Sequence, residues 1–471
     1  MNSTRREFVA LSLGAFASVA LLHATEPWRR PPDALPMPVD NAGAADFRLL
    51  SRLSYGPTPE DMLRLRQLGR EAYIDEQLKP DLLSEDLRLT LQLRNLGDCL
   101  TTDMGELMDQ DDRRLAQALR QATLLRACYS KRQLQERMVE FWSDHFNIFF
   151  FKGRLAPLKI VDDAETIRKH ALGQFRDLLG ASARSAAMMH YLNNDVNRVG
   201  VPNENYAREI MELHTLGLGG GYTQADVREV ARCFTGWTYE NHWRVGQFRF
   251  DARAHDDGMK KVLGHTIAAG GGIADGEKVL DILAGHPSTA KRICSKLSDL
   301  FAGDAPAGDV NRLAAVFAST NGDIRAVLRS LLTSDALIQG PPILKRPFDY
   351  ATGAVRAFDV QTDCDVHVQK ELERMGQPLF AWPEPDGFSR KTSAWTGDLI
   401  PRWNFAIRLA ANHVGGTTME ASTFRSAREM IERAVGPAGD PAGVLAEVCR
   451  PPMSLVEASA AIMMSPEFMW R

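Results

Sequence analysis

Most of the patterns by which a sequence announces its chemistry are missing here. There is no Walker loop, no nucleophile elbow and no His-Glu-x-x-His zinc motif, so the familiar nucleotide, serine-hydrolase and metalloprotease patterns are absent. No Cys-x-x-Cys, haem-attachment or zinc spacing occurs. The six cysteines, Cys99, Cys128, Cys233, Cys294, Cys364 and Cys449, are widely and irregularly spaced and make no disulfide scaffold in a chain of this size. Cys128, Cys233 and Cys294 fall in helical patterns and are expected to be buried thiols. No block of five or more like charges appears, and 56 Lys plus Arg against 60 Asp plus Glu give a net charge of -4. That leaves no basic face for nucleic acid. The glycine-rich run Gly217–Tyr222 follows a helical pattern rather than a strand and reads as a helix C-cap and turn, not a nucleotide loop.

What is present suffices for a large core: 471 residues, 44% hydrophobic and 25% charged, the balance of a globular protein. The one marked apolar run, Phe8–Leu22, is 15 residues long, short of the roughly 20 that span a bilayer. It follows Arg5-Arg6-Glu7, a twin-arginine pattern that addresses folded chains for export. Residues 1–24 are therefore expected to be a signal peptide and the protein periplasmic or extracellular, with no stable membrane span after cleavage. Residues 25–43, rich in proline, read as a linker.

From Ala44 onward helical spacing dominates. Apolar residues recur three and four apart over Lys131–Phe151, Asp162–Leu172, Phe175–Arg184, Asn203–Leu216 and Thr223–Trp237, and Thr58-Pro59 reads as an N-cap and helix start. Thr238–Phe250 alternates as a hairpin does, and Lys260–Ile267 is expected to add a third strand. The fold class is mainly α: one large multi-helical body over 44–471 with one small antiparallel hairpin or sheet, and 341–471 as a possible separate lobe.

Four groups of residues could carry chemistry. His145 falls mid-way on the apolar face of its helix, where an imidazole is desolvated and needs a partner, either a backbone carbonyl or a ligand or general-base role. Glu209 and Glu212 stand three apart on a helix, a spacing at which two carboxylates can meet one metal. With His145, His170 or His255 they would form a mixed histidine and carboxylate centre for a divalent transition metal; the plainer reading is a solvated face. Asn193, Asp195, Asn197 and Glu204 stand at positions 1, 3, 5 and 12 of a loop, the ligand spacing of a calcium site, although Arg198 occupies the position that wants glycine. The alternative is an Asn-rich turn whose Asn203 starts the next helix. Trp382, Trp395 and Trp403, in a proline-rich stretch, either stack on sugars or pack on the core.

Several segments form a pattern: Phe141-Trp142-Ser143-Asp144-His145-Phe146, Ile167–Gly173, Pro202–Gly217, Gly221-Tyr222-Thr223, Thr235-Gly236-Trp237, His255-Asp256-Asp257-Gly258 and Gly376–Phe380. Through them the chain resembles the bacterial "domain of unknown function 1800" family, from about Ala44 to the C-terminus. The resemblance implies an exported helical protein, often encoded beside a second exported family of sulfatase-like character, and brings no settled activity. Together these readings lead to an expected metal-dependent hydrolase acting on envelope or polymeric carbohydrate material. The alternative is a non-enzymatic binding or assembly partner of a co-exported sulfatase-like protein.

Overall fold

Local sequence signals set many of the helix ends. Thr58 caps the Pro59–Leu68 helix in a reciprocal pair with Asp61, Thr223 does the same with Asp226 for Gln224–Cys233, and Ser454 with Glu457 for Leu455–Met464. Each pair satisfies backbone donors that a helix start leaves open. The computed structural model describes residues 42–240, 246–303, 307–397 and 399–471; the expected signal peptide and nearly all of the linker lie outside the described residues. Among those residues 61% are helical, in 24 helices, so the fold is mainly α. No helix among them is long and apolar enough to cross a membrane.

The β structure differs from the expected single sheet. Trp237–Tyr239 pairs with Phe248–Phe250, but Lys260–Val262 pairs with His265–Ile267 as a hairpin of its own, and Gln361–Thr362 pairs with Thr417–Thr418. The reason lies at the turn. Leu263 and Gly264 both have positive φ, 48° and 83°, the requirement of a two-residue type I′ turn, so the strand folds back on itself.

Two helices also break their expected course. The Lys131–Phe151 pattern forms a helix only over Gln133–His145, with Phe146 as its C-cap. The Asn203–Leu216 pattern starts as an α-helix at Glu204–Glu209, capped by Asn203, then widens into a π-helix over Ile210–Thr215. The Thr215 hydroxyl donates to the Ile210 carbonyl at 2.6 Å and the Leu216 N–H to Met211 at 2.8 Å. Such widened turns release carbonyls for other partners.

Three apolar clusters form the interior. The largest runs from Leu49 to Leu337 and encloses Phe141, Trp142, Phe146 and Met211. A second is built mainly from 348–469, with Tyr55, Leu124, Leu125 and Cys128 contributed from earlier in the chain, and a third, small one surrounds Leu115 and Leu119. Ile343 and Arg471 exchange backbone hydrogen bonds of 2.8 and 2.9 Å, closing the C-terminus onto the start of the second cluster. All six cysteines are buried and unbridged.

Candidate functional site

Gln133–His145 is an apolar helix that also carries Glu136, Arg137, Glu140 and Asp144 into the interior. Buried charges need partners, and later segments supply them. Arg137 pairs with Asp349. Arg346 binds Glu140 and, at 2.7 Å, Asp144; Arg390 reaches the same two carboxylates at 3.2 and 3.3 Å. Planar guanidinium groups suit such forked recognition. Burial pushes the Asp144 carboxyl up to about 6, opposed by Arg390 and Lys296.

The segment bearing Arg390 is seated by close backbone approach. Gly387 has φ +72°, and a Cβ there would stand 2.1 Å from the Asp144 carbonyl oxygen, so glycine is required on both counts. Asn147 donates to the carbonyls of Trp382 and Glu384 at 3.0 and 2.6 Å. A cavity of about 30 Å³, lined in part by Glu140, Ser143, Asp144, Asn147 and Phe388, lies behind this contact, room for about one water.

Beside Asp144, His145 meets two groups. Its Nε2 lies 3.0 Å from the His214 carbonyl, at the end of the π-helix, and its Nδ1 lies 2.8 Å from Lys296 Nζ. A carbonyl only accepts, so Nε2 carries the proton and Nδ1 accepts from the lysine. Burial, then the charge of Lys296, keeps the ring well below the ordinary histidine range. His214 is likewise neutral, lowered to about 3 by burial, and its buried Nε2 has no hydrogen-bond partner.

Lys296 sits on the Pro287–Phe301 helix, partly exposed. It forms no ion pair among the described residues; Arg292, one turn earlier, and Arg390 add like charge while Asp144 and Asp386 oppose it. Desolvation first, then the two guanidiniums, bring its ammonium down to about 7. Arg292 itself donates to the Leu213 carbonyl at 3.2 and 3.1 Å, so the π-helix end is held by two side chains.

Glu209 and Glu212 are near one another, as their spacing suggested, and burial and then Glu212 raise Glu209. Asp386 and Glu384 also act on Glu209, and Tyr222 donates to Glu212 at 3.1 Å. The other expected metal ligands are elsewhere. His170 lies among Asp177, Lys169 and Glu165. His255 is buried against Asp275 at 3.2 Å and Lys260 at 3.4 Å; that ammonium also donates to the Asp256 carbonyl, a fully satisfied structural pair. Among the described residues no three His, Cys, Asp or Glu side chains come together as a metal ion would need. His145 thus has the backbone carbonyl partner that was one of its two expected roles, and its other ring nitrogen meets a lysine rather than Glu209, Glu212, His170 or His255.

The Asn193–Glu204 loop spends its side chains on the protein's own hydrogen bonds. Asn193 accepts from Lys152 at 2.8 Å and Asp195 meets His190 at 3.0 Å. Asn197 is buried between Asn194, Ala231 and the Asn203 N–H, and Glu204 binds Arg208 and Gln224. Positive φ falls at Asn193, 60°, and Gly200, 84°, rather than at Arg198. Of the tryptophans, Trp395 is buried and donates to Ser389, so its ring lines no groove; Trp403 packs on the second cluster and donates to Met464. Trp382 is half-buried, its Nε1 on Asp386 at 2.8 Å and its ring 5.1 Å from Phe388.

Lys296, Asp144, Arg346 and Arg390 did not stand out in the sequence. The available signal was Arg292 and Lys296, two like charges at i and i+4 flanking an apolar stripe, an unfavourable pairing on a helix unless something else uses it. A wide surface depression of about 780 Å³, lined by Asp309, Arg312, Ser330 and neighbouring residues, lies apart from all of these groups.

Residues 48–470 match the model of a family described as "Protein of unknown function (DUF1800)". The chain belongs to this family. The match covers the whole of the site just described, including all of the residues that carried the resemblance. No curated protein and no solved structure matches the chain.

Proposed function

We propose that this member of the family is an exported hydrolase acting on envelope or polymeric carbohydrate material, with Lys296 as its proton-transfer group and His145 as the residue that positions it. The observation that carries the reading is the 2.8 Å hydrogen bond between Lys296 and a neutral His145, made by an amine that has no ion-pair partner among the described residues, on a side chain that is half-buried. A lysine of that kind exchanges protons at neutral pH. Trp382, braced by Asp386 and Phe388 on the segment that carries Arg390, supports a sugar-stacking surface. The Arg5-Arg6 leader supports export.

The test is release of reducing ends from a purified envelope polysaccharide. Lys296→Met should lower the rate by about 10²–10⁴-fold with an unchanged far-ultraviolet circular dichroism spectrum. An unimpaired variant, or a wild-type protein inert on every envelope polymer, overturns the reading. Metal content of the same sample decides whether a divalent ion joins the lysine in the reaction.

A further inference from the structure

We propose that Lys296, a half-buried residue, is a carbonyl-trapping amine: its Nζ forms a Schiff base with the carbonyl carbon of an aldehyde or ketone. The inference rests on Lys296 as the reactive group and not on hydrolysis.

Two features point to it, the hydrogen bonding of Lys296 and the charges around it. First, the hydrogen bonding of Lys296 leaves its nitrogen available. His145 Nε2 donates to the His214 carbonyl, so Nδ1 is an acceptor. One N–H of the lysine satisfies it whether the amine is charged or neutral, and the lone pair of the neutral form points away from the ring. Second, the surroundings favour the neutral form. Arg292 and Arg390 face the amine, its carboxylate neighbours Asp144 and Asp386 make no ion pair with it, and His145 and His214 are both neutral. Desolvation beside other cations is the usual means of making a lysine nucleophilic. By contrast Lys260, which also lies beside a histidine, is fully buried and meets Asp275, His255 and the Asp256 carbonyl.

The step balances without an oxidant. The neutral Nζ attacks the carbonyl carbon, a C–N bond forms, and the oxygen becomes a hydroxyl with a proton taken from the amine through solvent. Loss of that hydroxyl as water breaks the C–O bond, takes the second amine proton and leaves C=N. Carbohydrates with a free reducing end offer such a carbon in their open-chain form.

The experiment uses the full chain with glycolaldehyde and cyanoborohydride at pH 7, and reads hydroxyethylation of each lysine by peptide mass spectrometry. Lys296 should be labelled about tenfold or more faster than exposed Lys261 and Lys391 in the same sample, with a rate that levels off above about pH 7 while theirs still climbs. Comparison within one wild-type sample needs no variant to fold. Labelling of Lys296 no faster than the exposed lysines overturns the proposal, even if polysaccharide is hydrolysed. Fast labelling without hydrolysis upholds it and removes only the hydrolase reading. His145→Phe, which deletes the acceptor, should slow the labelling, and His145→Gln, which keeps one, should restore much of it; equal rates in both would refute the positioning by His145.

Discussion

At Lys296 the cost of burying an amine and the usefulness of that amine are the same quantity. Its ionisation falls to about 7 from the 10.5 of an ordinary lysine, so between those values the unfolded chain binds more protons than the folded one and stability rises with pH. The penalty is complete below the folded value and has vanished above the unfolded one. Lys296→Met should therefore stabilise the protein by about 1–3 kcal/mol near pH 6, with the gain shrinking toward nothing near pH 10; urea titrations at several pH values measure it, and a gain independent of pH contradicts the burial argument. The two histidines make a companion prediction. His145 and His214, both held neutral by burial, should show no titration in long-range proton–nitrogen NMR spectra between about pH 5 and 8, and His145 should appear as the Nε2–H tautomer.

At the scale of elements, the Gln133–His145 helix is the beam to which distant parts of the chain are fastened. Asp349 holds Arg137, and Arg346 and Arg390 hold Glu140 and Asp144. Asp349→Ala leaves Arg137 charged and buried, and should cost about 3–5 kcal/mol; a denaturation midpoint unchanged from wild type would show that the pair carries no such weight. Gly387 is where the 382–390 segment touches that beam. Because a Cβ would meet the Asp144 carbonyl at 2.1 Å, Gly387→Ala should displace Arg390 and Trp382 together, costing about 1–3 kcal/mol and lowering activity more than its effect on stability would suggest. Full activity in that variant would mean that the segment is not part of the site.

For the whole molecule, the helical body was legible in the sequence because its apolar stripes and caps are local. Phe175–Arg184 forms over the residues its spacing indicates, and Thr58, Thr223 and Asn203 cap the helices they precede. The same locality misled at Lys131–Phe151, where spacing continues past the point at which Asn147 is drawn into the interior by the Trp382 and Glu384 carbonyls. The proposed export is tested at this scale as well, since the twin-arginine route accepts folded chains. Replacing Arg5 and Arg6 by lysine should leave folded precursor in the cytoplasm, read by fractionation, and unchanged export would discard the leader.

The sequence by itself determined the mainly helical fold, many of its caps and the family, since each rests on neighbours within a few residues. It also marked out His145, Glu209 and Glu212, because an imidazole on an apolar face and two carboxylates three apart are visible on one helix. Only the tertiary structure decided their partners. Lys296 lies 151 residues beyond His145 and Arg346 lies 202 beyond Asp144, and the carbonyl that fixes the tautomer of His145 belongs to the open end of a helix 69 residues further on. Which charge meets which in the interior depends on how helices far apart in sequence pack, because burial brings together groups that periodicity treats one at a time.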